Sequence, residues 1–208
     1  MLRQRAAGKL RLMTKRARTS ILVLLCGPSG AGKSTVLSEL LKRHSDWRVV
    51  SSYTTRAKRR AERSVKPYHF VSVDEFMNLV KSGDILEYEQ YAGNWYGTSA
   101  SNLDEVLSSG SVALMDLQLK GVAALKERYP QAVDIYLRVG LAEVRRRLAA
   151  DWHRAGTPRS EKLSRLAAVA RQNRRAKHFS IVIDSVSGDI SGTVDVVEQA
   201  ILKAMGRV

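Results

Sequence analysis

The sequence predicts an α/β fold with a doubly wound parallel sheet, an inserted lobe and a mobile helical lid. Short apolar runs alternate along the chain with segments of helical spacing, a pattern typical of parallel sheets with helices on both faces. Residues 53–98 are richer in strand and turn signals and predict the lobe. A basic helical region interrupted at Gly156-Thr157-Pro158 predicts the lid, at about residues 145–162. The predicted core therefore comprises residues 20–52 and 99–208.

The first element of this core combines a strand, a glycine-rich loop and a helix. Ile21–Cys26 is an apolar run that fits a strand buried on both faces, and 35–43 has apolar residues at helical spacing. Between them lies a complete G-x-x-x-x-G-K-S motif, whose backbone N–H groups cradle phosphate at the start of a helix. Lys33 would reach the β- and γ-phosphates, and the Ser34 hydroxyl would ligand Mg²⁺. The predicted nucleotide-binding residues are Gly27, Pro28, Ser29, Gly30, Ala31, Gly32, Lys33, Ser34 and Thr35.

The rest of the chain continues the alternation. The Ser72 N-cap and Gly83 bound one predicted helix, and Gly93-Asn94 predicts a hairpin turn. Strands are predicted at 47–52, 68–71, 85–91, 112–117, 133–139 and 179–184. Helices are predicted at 74–82, 102–108, 122–129, from 141 onward with a resumption at 161–176, and at 193–205.

Composition restricts the function classes without choosing among them. No apolar run approaches the roughly 18 residues that a membrane span needs, and a single cysteine, Cys26, excludes an intrachain disulfide and favours a reducing compartment such as the cytoplasm. The net charge of +15 is compatible with nucleic acid, an anionic membrane or a polyanionic substrate such as a nucleoside triphosphate. Residues 1–19 form a basic arm without acidic residues, predicted as a disordered tail; an organelle transit peptide and a nucleic-acid-binding arm are the alternatives.

A second set of motifs follows the phosphate loop. Residues 52–59 read Ser-Tyr-Thr-Thr-Arg-Ala-Lys-Arg, and they precede a Tyr68-x-Phe70 pair, a lone Glu87 and a Gly-Asn-Trp-Tyr-Gly-Thr run at 93–98. With the phosphate loop, this order and spacing resembles the guanylate kinase family over roughly residues 20–205. The phosphate loop alone is common to many families, whereas this combination is specific.

The resemblance implies a P-loop kinase that uses ATP and Mg²⁺ to phosphorylate GMP or dGMP. No membrane partner is expected, and the protein is expected to be a monomer or a homodimer. It implies that Arg56, Arg59, Tyr68 and Tyr96 hold the acceptor phosphate, and that Ser52, Glu87 and Thr98 read the guanine. Guanidinium groups suit phosphate because they bind it through paired hydrogen bonds. The implied catalytic residues are Lys33, Arg56 and Asp116, with Arg147, Arg154 and Arg165 on the lid. Gly97 and Asp116 complete the implied substrate-binding set.

Some positions depart from the family pattern. The family usually has D-x-D-x-Q-G where this chain has Asp116-Leu117-Gln118-Leu119-Lys120-Gly121, so its second Asp is Gln118 here. The lid is about three residues longer, and a usual Asn-Asp pair reads Asp184-Ser185. Two alternatives remain at this point: a related kinase that acts on a phosphorylated sugar, and a guanylate-kinase-like binding module without catalysis.

Overall fold

The computed structural model describes residues 20–58, 66–91, 93–146, 159–186 and 188–206. The strands are β1 (Ile21–Cys26), β2 (Arg48–Val49), β3 (Ser52–Thr54), β4 (Tyr68–Phe70), β5 (Ile85–Tyr91), β6 (Asn94–Ser99), β7 (Val112–Asp116), β8 (Val133–Arg138) and β9 (Ile181–Asp184). The helices are α1 (Lys33–Arg43), α2 (Val73–Ser82), α3 (Ala100–Ser108), α4 (Leu119–Arg128), α5 (Arg159–Asn173) and α6 (Ile190–Ala204). Residues 141–146 are also helical, and Ala176–His178 forms a 3₁₀ turn.

The larger sheet has the strand order β2-β7-β1-β8-β9, and all its strand pairs are parallel. β1 lies at its centre, and its alternate residues enter two separate apolar clusters. Val23 and Leu25 pack with buried residues of α1 and α6, whereas Leu22 and Leu24 pack with buried residues of α3 and α4. Helices therefore cover both faces, which confirms the predicted doubly wound parallel sheet.

The smaller sheet has the order β4-β3-β6-β5, with β3 and β4 parallel and the other two pairs antiparallel. It spans Ser52 to Ser99, one residue beyond each end of the predicted lobe. The chain passes between the two sheets at Ser51 and again at Ser99. These crossings are joined because Ser99 N donates to Ser51 O at 3.3 Å, and Ser51 N donates to Asn102 Oδ1 at 2.8 Å.

Most predicted elements are present, with shifts at their ends. The bounds of β1 and β5 agree with the predictions, and the Ser72 N-cap of α2 is confirmed by a reciprocal pair of bonds with Glu75. α3 and α6 begin earlier than predicted, each after a residue whose side chain caps the helix, Ser99 and Asp189. No helix in the described ranges is long and apolar enough to cross a membrane.

The prediction of one strand at 47–52 is wrong. Arg48–Val49 pairs with β7 in the larger sheet, whereas Ser52–Thr54 pairs with β4 and β6 in the smaller one. Val50 N still donates to Leu114 O, so the chain leaves the larger sheet directly after that residue. Val50, Ser51 and Ser52 are all buried, so no exposed residue marks the point where the chain changes sheet.

Candidate active site

The predicted phosphate loop joins β1 to α1 in a conformation that requires glycine. Gly27, Gly30 and Gly32 have φ values of 149°, 81° and 93°, in the region that side chains rarely adopt. A Cβ at Gly27 would also lie 2.5 Å from Leu137 O. Gly32 caps α1 without a side-chain bond, so the first N–H groups of the helix face the loop. This arrangement provides positive dipole ends for a phosphate group.

Lys33 is the first residue of α1 and folds back over the loop. Its Nζ donates to Gly27 O at 2.7 Å and to Pro28 O at 3.3 Å. The side chain is only 10 % exposed, which places the ammonium inside the loop rather than in solvent. Phosphate oxygens bound by the loop would therefore meet this cation directly.

Beside the loop lies an open cavity of about 720 Å³. Part of its wall is apolar, with Val186 56 % and Ile190 38 % exposed, while Glu143 and Arg146 supply charge. These two charged side chains are paired through two bonds of 2.9 Å. The cavity is lined by Ser29, Gly30, Gly32, Lys33, Ser34, Thr35, Glu143, Arg146, Val186, Gly188 and Ile190.

A second cavity, of about 200 Å³, lies between the smaller sheet and the carboxyl end of β7. Its walls are mostly side chains that can form hydrogen bonds, contributed by segments distant in sequence. They are Ser52, Lys66, Tyr68, Glu87, Glu89, Tyr91, Tyr96, Gly97, Asp116, Leu117 and Gln118. The structure thus brings together six of the residues predicted to bind the acceptor: Ser52, Tyr68, Glu87, Tyr96, Gly97 and Asp116.

Glu87 is held by a hydrogen bond at one carboxylate oxygen and lies close to Gly121 at the other. The Thr98 hydroxyl donates to Oε1 at 2.5 Å, and Oε2 lies 2.7 Å from the position that a Cβ on Gly121 would take. Strand pairing brings these residues together: β5 pairs with β6 and its register shifts between Ile85 and Tyr88, next to Glu87, while Ser52 of β3 lies opposite Thr98 on the other side of β6. Burial raises the pKa of the Glu87 carboxyl above its usual 4.5, against the lowering effects of the Thr98 bond and of Lys66. The carboxylate is therefore preorganised and poorly solvated.

The two cavities meet where Asp116, the last residue of β7, approaches Lys33, because Asp116 lines the smaller cavity and Lys33 the larger one. Oδ1 of Asp116 lies 3.8 Å from Lys33 Nζ on the phosphate-loop side. Its main-chain oxygen accepts a hydrogen bond from Lys66 Nζ at 2.8 Å on the other side. A group bound in either cavity would thus approach the same carboxylate, as transfer between two ligands requires.

Aromatic and cationic side chains surround the wall formed by Tyr68. Arg56 Cζ lies 5.6 Å from the Tyr68 ring centroid, and Lys66 Nζ lies 5.7 Å from it. The ring of Tyr96 meets that of Tyr68 edge-on, with their centroids 6.3 Å apart. The two tyrosine hydroxyls and the two cations form a surface suited to an anion.

The other predicted arginines cannot be placed in this arrangement. Arg59, Arg147 and Arg154 lie outside the described residues, as does most of the predicted lid. Arg165 lies within α5, for which the main chain is described but this side chain is not. Their roles stay predictions.

Comparisons with known proteins bear on this site. A family model described as "Guanylate kinase" matches residues 18–204, which include both cavities. The chain belongs to the guanylate kinase family. A guanylate kinase of Thermosynechococcus vestitus is 34 % identical over 182 residues, 86 % of this chain and 92 % of that protein. One of Trichodesmium erythraeum is 35 % identical over 172 residues, 81 % and 91 % of the two chains.

A solved structure gives the same result for the fold. The crystal structure of guanylate kinase from Anaplasma phagocytophilum superposes with a TM-score of 0.70 at 27 % identity, covering 90 % of this chain and 86 % of that one. The matched length includes the larger and the smaller sheet, so this guanylate kinase family member has the α/β architecture of its relatives.

Sequence reasoning missed several residues of the site, among them Lys66, Glu89, Gly121 and Arg146. Lys66 and Arg146 lie in segments rich in Lys and Arg, which gave nothing to distinguish them. Two had usable signals. Glu89 lies two positions after Glu87, which places both on one face of a strand. Gly121 is an isolated glycine inside a helical pattern, which often has a packing reason.

Proposed function

We propose that this protein catalyses Mg²⁺-dependent transfer of the γ-phosphoryl group of ATP to GMP or dGMP, giving ADP and GDP or dGDP. The observation that carries the proposal is the meeting of two unlike cavities at Asp116, with Lys33 of the phosphate loop 3.8 Å from its carboxylate. One cavity is suited to a triphosphate and the other contains the Glu87–Thr98 pair. Membership of the guanylate kinase family supports the reaction class.

ATP and Mg²⁺ are assigned to the larger cavity. The phosphate loop fits a triphosphate because its three positive-φ glycines and the uncapped start of α1 surround one volume. The Ser34 hydroxyl and the Asp116 carboxylate are hard oxygen donors of the kind Mg²⁺ prefers, and this cation commonly completes its shell with water and phosphate oxygens. When bound, Mg²⁺ neutralises charge on the phosphates. Lys33 adds a fixed positive charge at the same place.

The acceptor is assigned to the smaller cavity. In this proposal Tyr68 and Tyr96 donate to the acceptor phosphate and Arg56 pairs with it, joined by Arg59 as the resemblance implies. Glu87 accepts from N1–H and N2–H₂ of guanine, two adjacent donors that adenine does not offer. The hydroxyl of Thr98 already donates to Glu87, so in this proposal the Ser52 hydroxyl donates to the O6 atom of guanine.

Residues of this chain also stabilise the charge of the transition state in this proposal. Phosphoryl transfer depends mainly on positioning and on neutralising the charge of the transferred group. Lys33 and Asp116 lie at the meeting point of the cavities, and Arg146, at the start of the predicted lid, lines the donor side. Arg147, Arg154 and Arg165 are proposed to complete this charge when the lid closes.

A coupled ADP-release assay tests the proposal across GMP, dGMP, AMP, CMP, UMP and a set of phosphosugars, with Lys33→Ala as the inactive control. We expect GMP or dGMP to be preferred over AMP by roughly 10⁴-fold, because a site built to pair buried polar groups rejects a ligand that leaves them unpaired. Preference for a phosphosugar would favour the related sugar kinase. Tight GMP binding without turnover would favour a binding module.

We also propose that the protein is located in the cytoplasm. The only cysteine, Cys26, is buried at the end of β1, and burial raises the pKa of its thiol to about 12. An unreactive thiol and the absence of any possible intrachain disulfide accord with a reducing cytoplasm.

A further inference from the structure

Lys66 occupies an unusual position for a loop lysine. It follows the undescribed residues 59–65, yet its side chain turns inward and lines the acceptor cavity. Its Nζ donates to Asp116 O at 2.8 Å and lies 5.7 Å from the centre of the Tyr68 ring. Burial lowers the pKa of its ammonium group. Because placing an ammonium away from water has a cost, such a lysine needs a compensating partner.

Carboxylates around Lys66 provide that compensation. Glu87, Glu89 and Asp116 all line the same cavity, and each interacts with Lys66 electrostatically. Glu89 is itself poorly solvated, so burial and the adjacent Glu87 raise the pKa of its carboxyl. A phosphate that enters beside three carboxylates would be repelled. Lys66 is the lysine in this cavity's lining that can offset them, since Lys33 lines the other cavity.

Geometry places Lys66 near the proposed phosphate position. Arg56 and Lys66 lie at nearly equal distances, 5.6 and 5.7 Å, from the centre of the Tyr68 ring. Lys66 also contacts the end of β7 where the two cavities meet. A phosphate bonded to the Tyr68 hydroxyl would therefore have a cation of the loop and a cation of the cavity within reach, and an ammonium on a flexible stem binds phosphate as a point charge.

We propose that Lys66 is a further ligand of the acceptor phosphate, distinct from the arginines of the 56–59 segment. This inference rests on the proposed function, because it assumes that a nucleoside monophosphate enters the smaller cavity. Lys66 offsets the charge of the carboxylates that line the cavity and holds the phosphate beside Asp116. The alternative is a purely structural lysine that fixes the end of β7 through the Asp116 carbonyl.

Calorimetric titration of Lys66→Met with GMP and with guanosine separates the two roles. Removing a phosphate contact should weaken GMP binding by about tenfold or more, equivalent to about 1.4 kcal/mol per tenfold, and leave guanosine binding within about twofold. Lys66→Arg should retain most GMP affinity, because it keeps the charge. Lys81→Met, an exposed lysine of α2, serves as the matched control and should bind both ligands normally.

The outcomes are distinct. Equal weakening of GMP and guanosine binding in Lys66→Met would show that Lys66 only supports the pocket, and unchanged binding of both would show that it is not a ligand. Either result overturns the inference. Binding of GMP by the unmodified protein is the separate test of the proposed function: if it fails while another monophosphate binds, the guanine assignment is wrong, and the same comparison with that nucleotide and its nucleoside decides the role of Lys66.

Discussion

The two cavities of the site are built in different ways. The phosphate-binding part of the donor side is one continuous segment, in which the backbone of Gly27, Gly30 and Gly32 supplies the shape and Lys33 the charge. The acceptor side is assembled from side chains of β3, β4, β5, β6 and the end of β7. A backbone cradle recognises phosphate wherever it occurs, whereas convergent side chains can distinguish one base from another. Substrate choice should therefore depend on the acceptor side, and the turnover rate on the Lys33–Asp116 contact where the two cavities meet.

Removal of the Lys33 side chain should have the largest effect on catalysis, with little effect on the acceptor side. Lys33→Ala is expected to lower kcat by about 10³-fold, because the charge on the transferred phosphoryl group loses a fixed cation. Affinity for GMP should change by less than about threefold, since Lys33 lines the donor cavity. Steady-state kinetics and a GMP titration measure the two quantities, and unaltered turnover in a folded variant would contradict the assignment of the loop.

Glu87→Gln should affect the acceptor side selectively. The amide cannot accept from both guanine donors, so kcat/KM for GMP is expected to fall by about 10²-fold, with KM for ATP nearly unchanged. Measuring GMP and AMP in parallel shows whether discrimination narrows as well. A comparable loss in ATP affinity would mean that the two cavities are not functionally separate.

A methyl group at Gly121 should produce a smaller loss by a different route. Its Cβ would lie 2.7 Å from Glu87 Oε2, so Gly121→Ala must displace the carboxylate. We expect a decrease of about tenfold in kcat/KM for GMP, even though alanine within a helix is favoured over glycine by about 1 kcal/mol. Gly140→Ala is the control, because no heavy atom lies within 4 Å of its Cβ. Equal behaviour of the two variants would rule out contact-based positioning of Glu87.

The smallest expected effect is a pH dependence of stability. The pKa of Glu87 in the folded state is raised above 4.5, its value in the unfolded state. Between the unfolded and the folded pKa, the folded state therefore binds more protons than the unfolded state. The free energy of unfolding of the unliganded protein should therefore fall as pH rises through this window, relative to Glu87→Gln. Denaturant unfolding of both proteins at several pH values measures the difference. In the same window kcat/KM for GMP should rise with pH, because the ionised form accepts from guanine.

The contrast between the cavities also explains what the sequence could predict. β1, the phosphate loop and α1 are contiguous, so spacing alone indicated their structure and role. The acceptor residues were predicted only through a resemblance, because strand pairing brings together Ser52, Glu87 and Thr98, which are far apart in the sequence. The inward turn of Lys66 is set by contacts with β7 that no local pattern encodes. The split of the 47–52 segment was missed for a similar reason, since both sheets bury it.

The joined crossings at Ser51 and Ser99 have a mechanical consequence. The two chain crossings between the smaller sheet and the rest of the protein lie side by side, joined by a 3.3 Å bond. A rotation of the smaller sheet as a unit would therefore be centred on this point. Tyr68 and Glu87 both belong to the smaller sheet, so its rotation would move them together toward the phosphate and the base of a bound nucleotide.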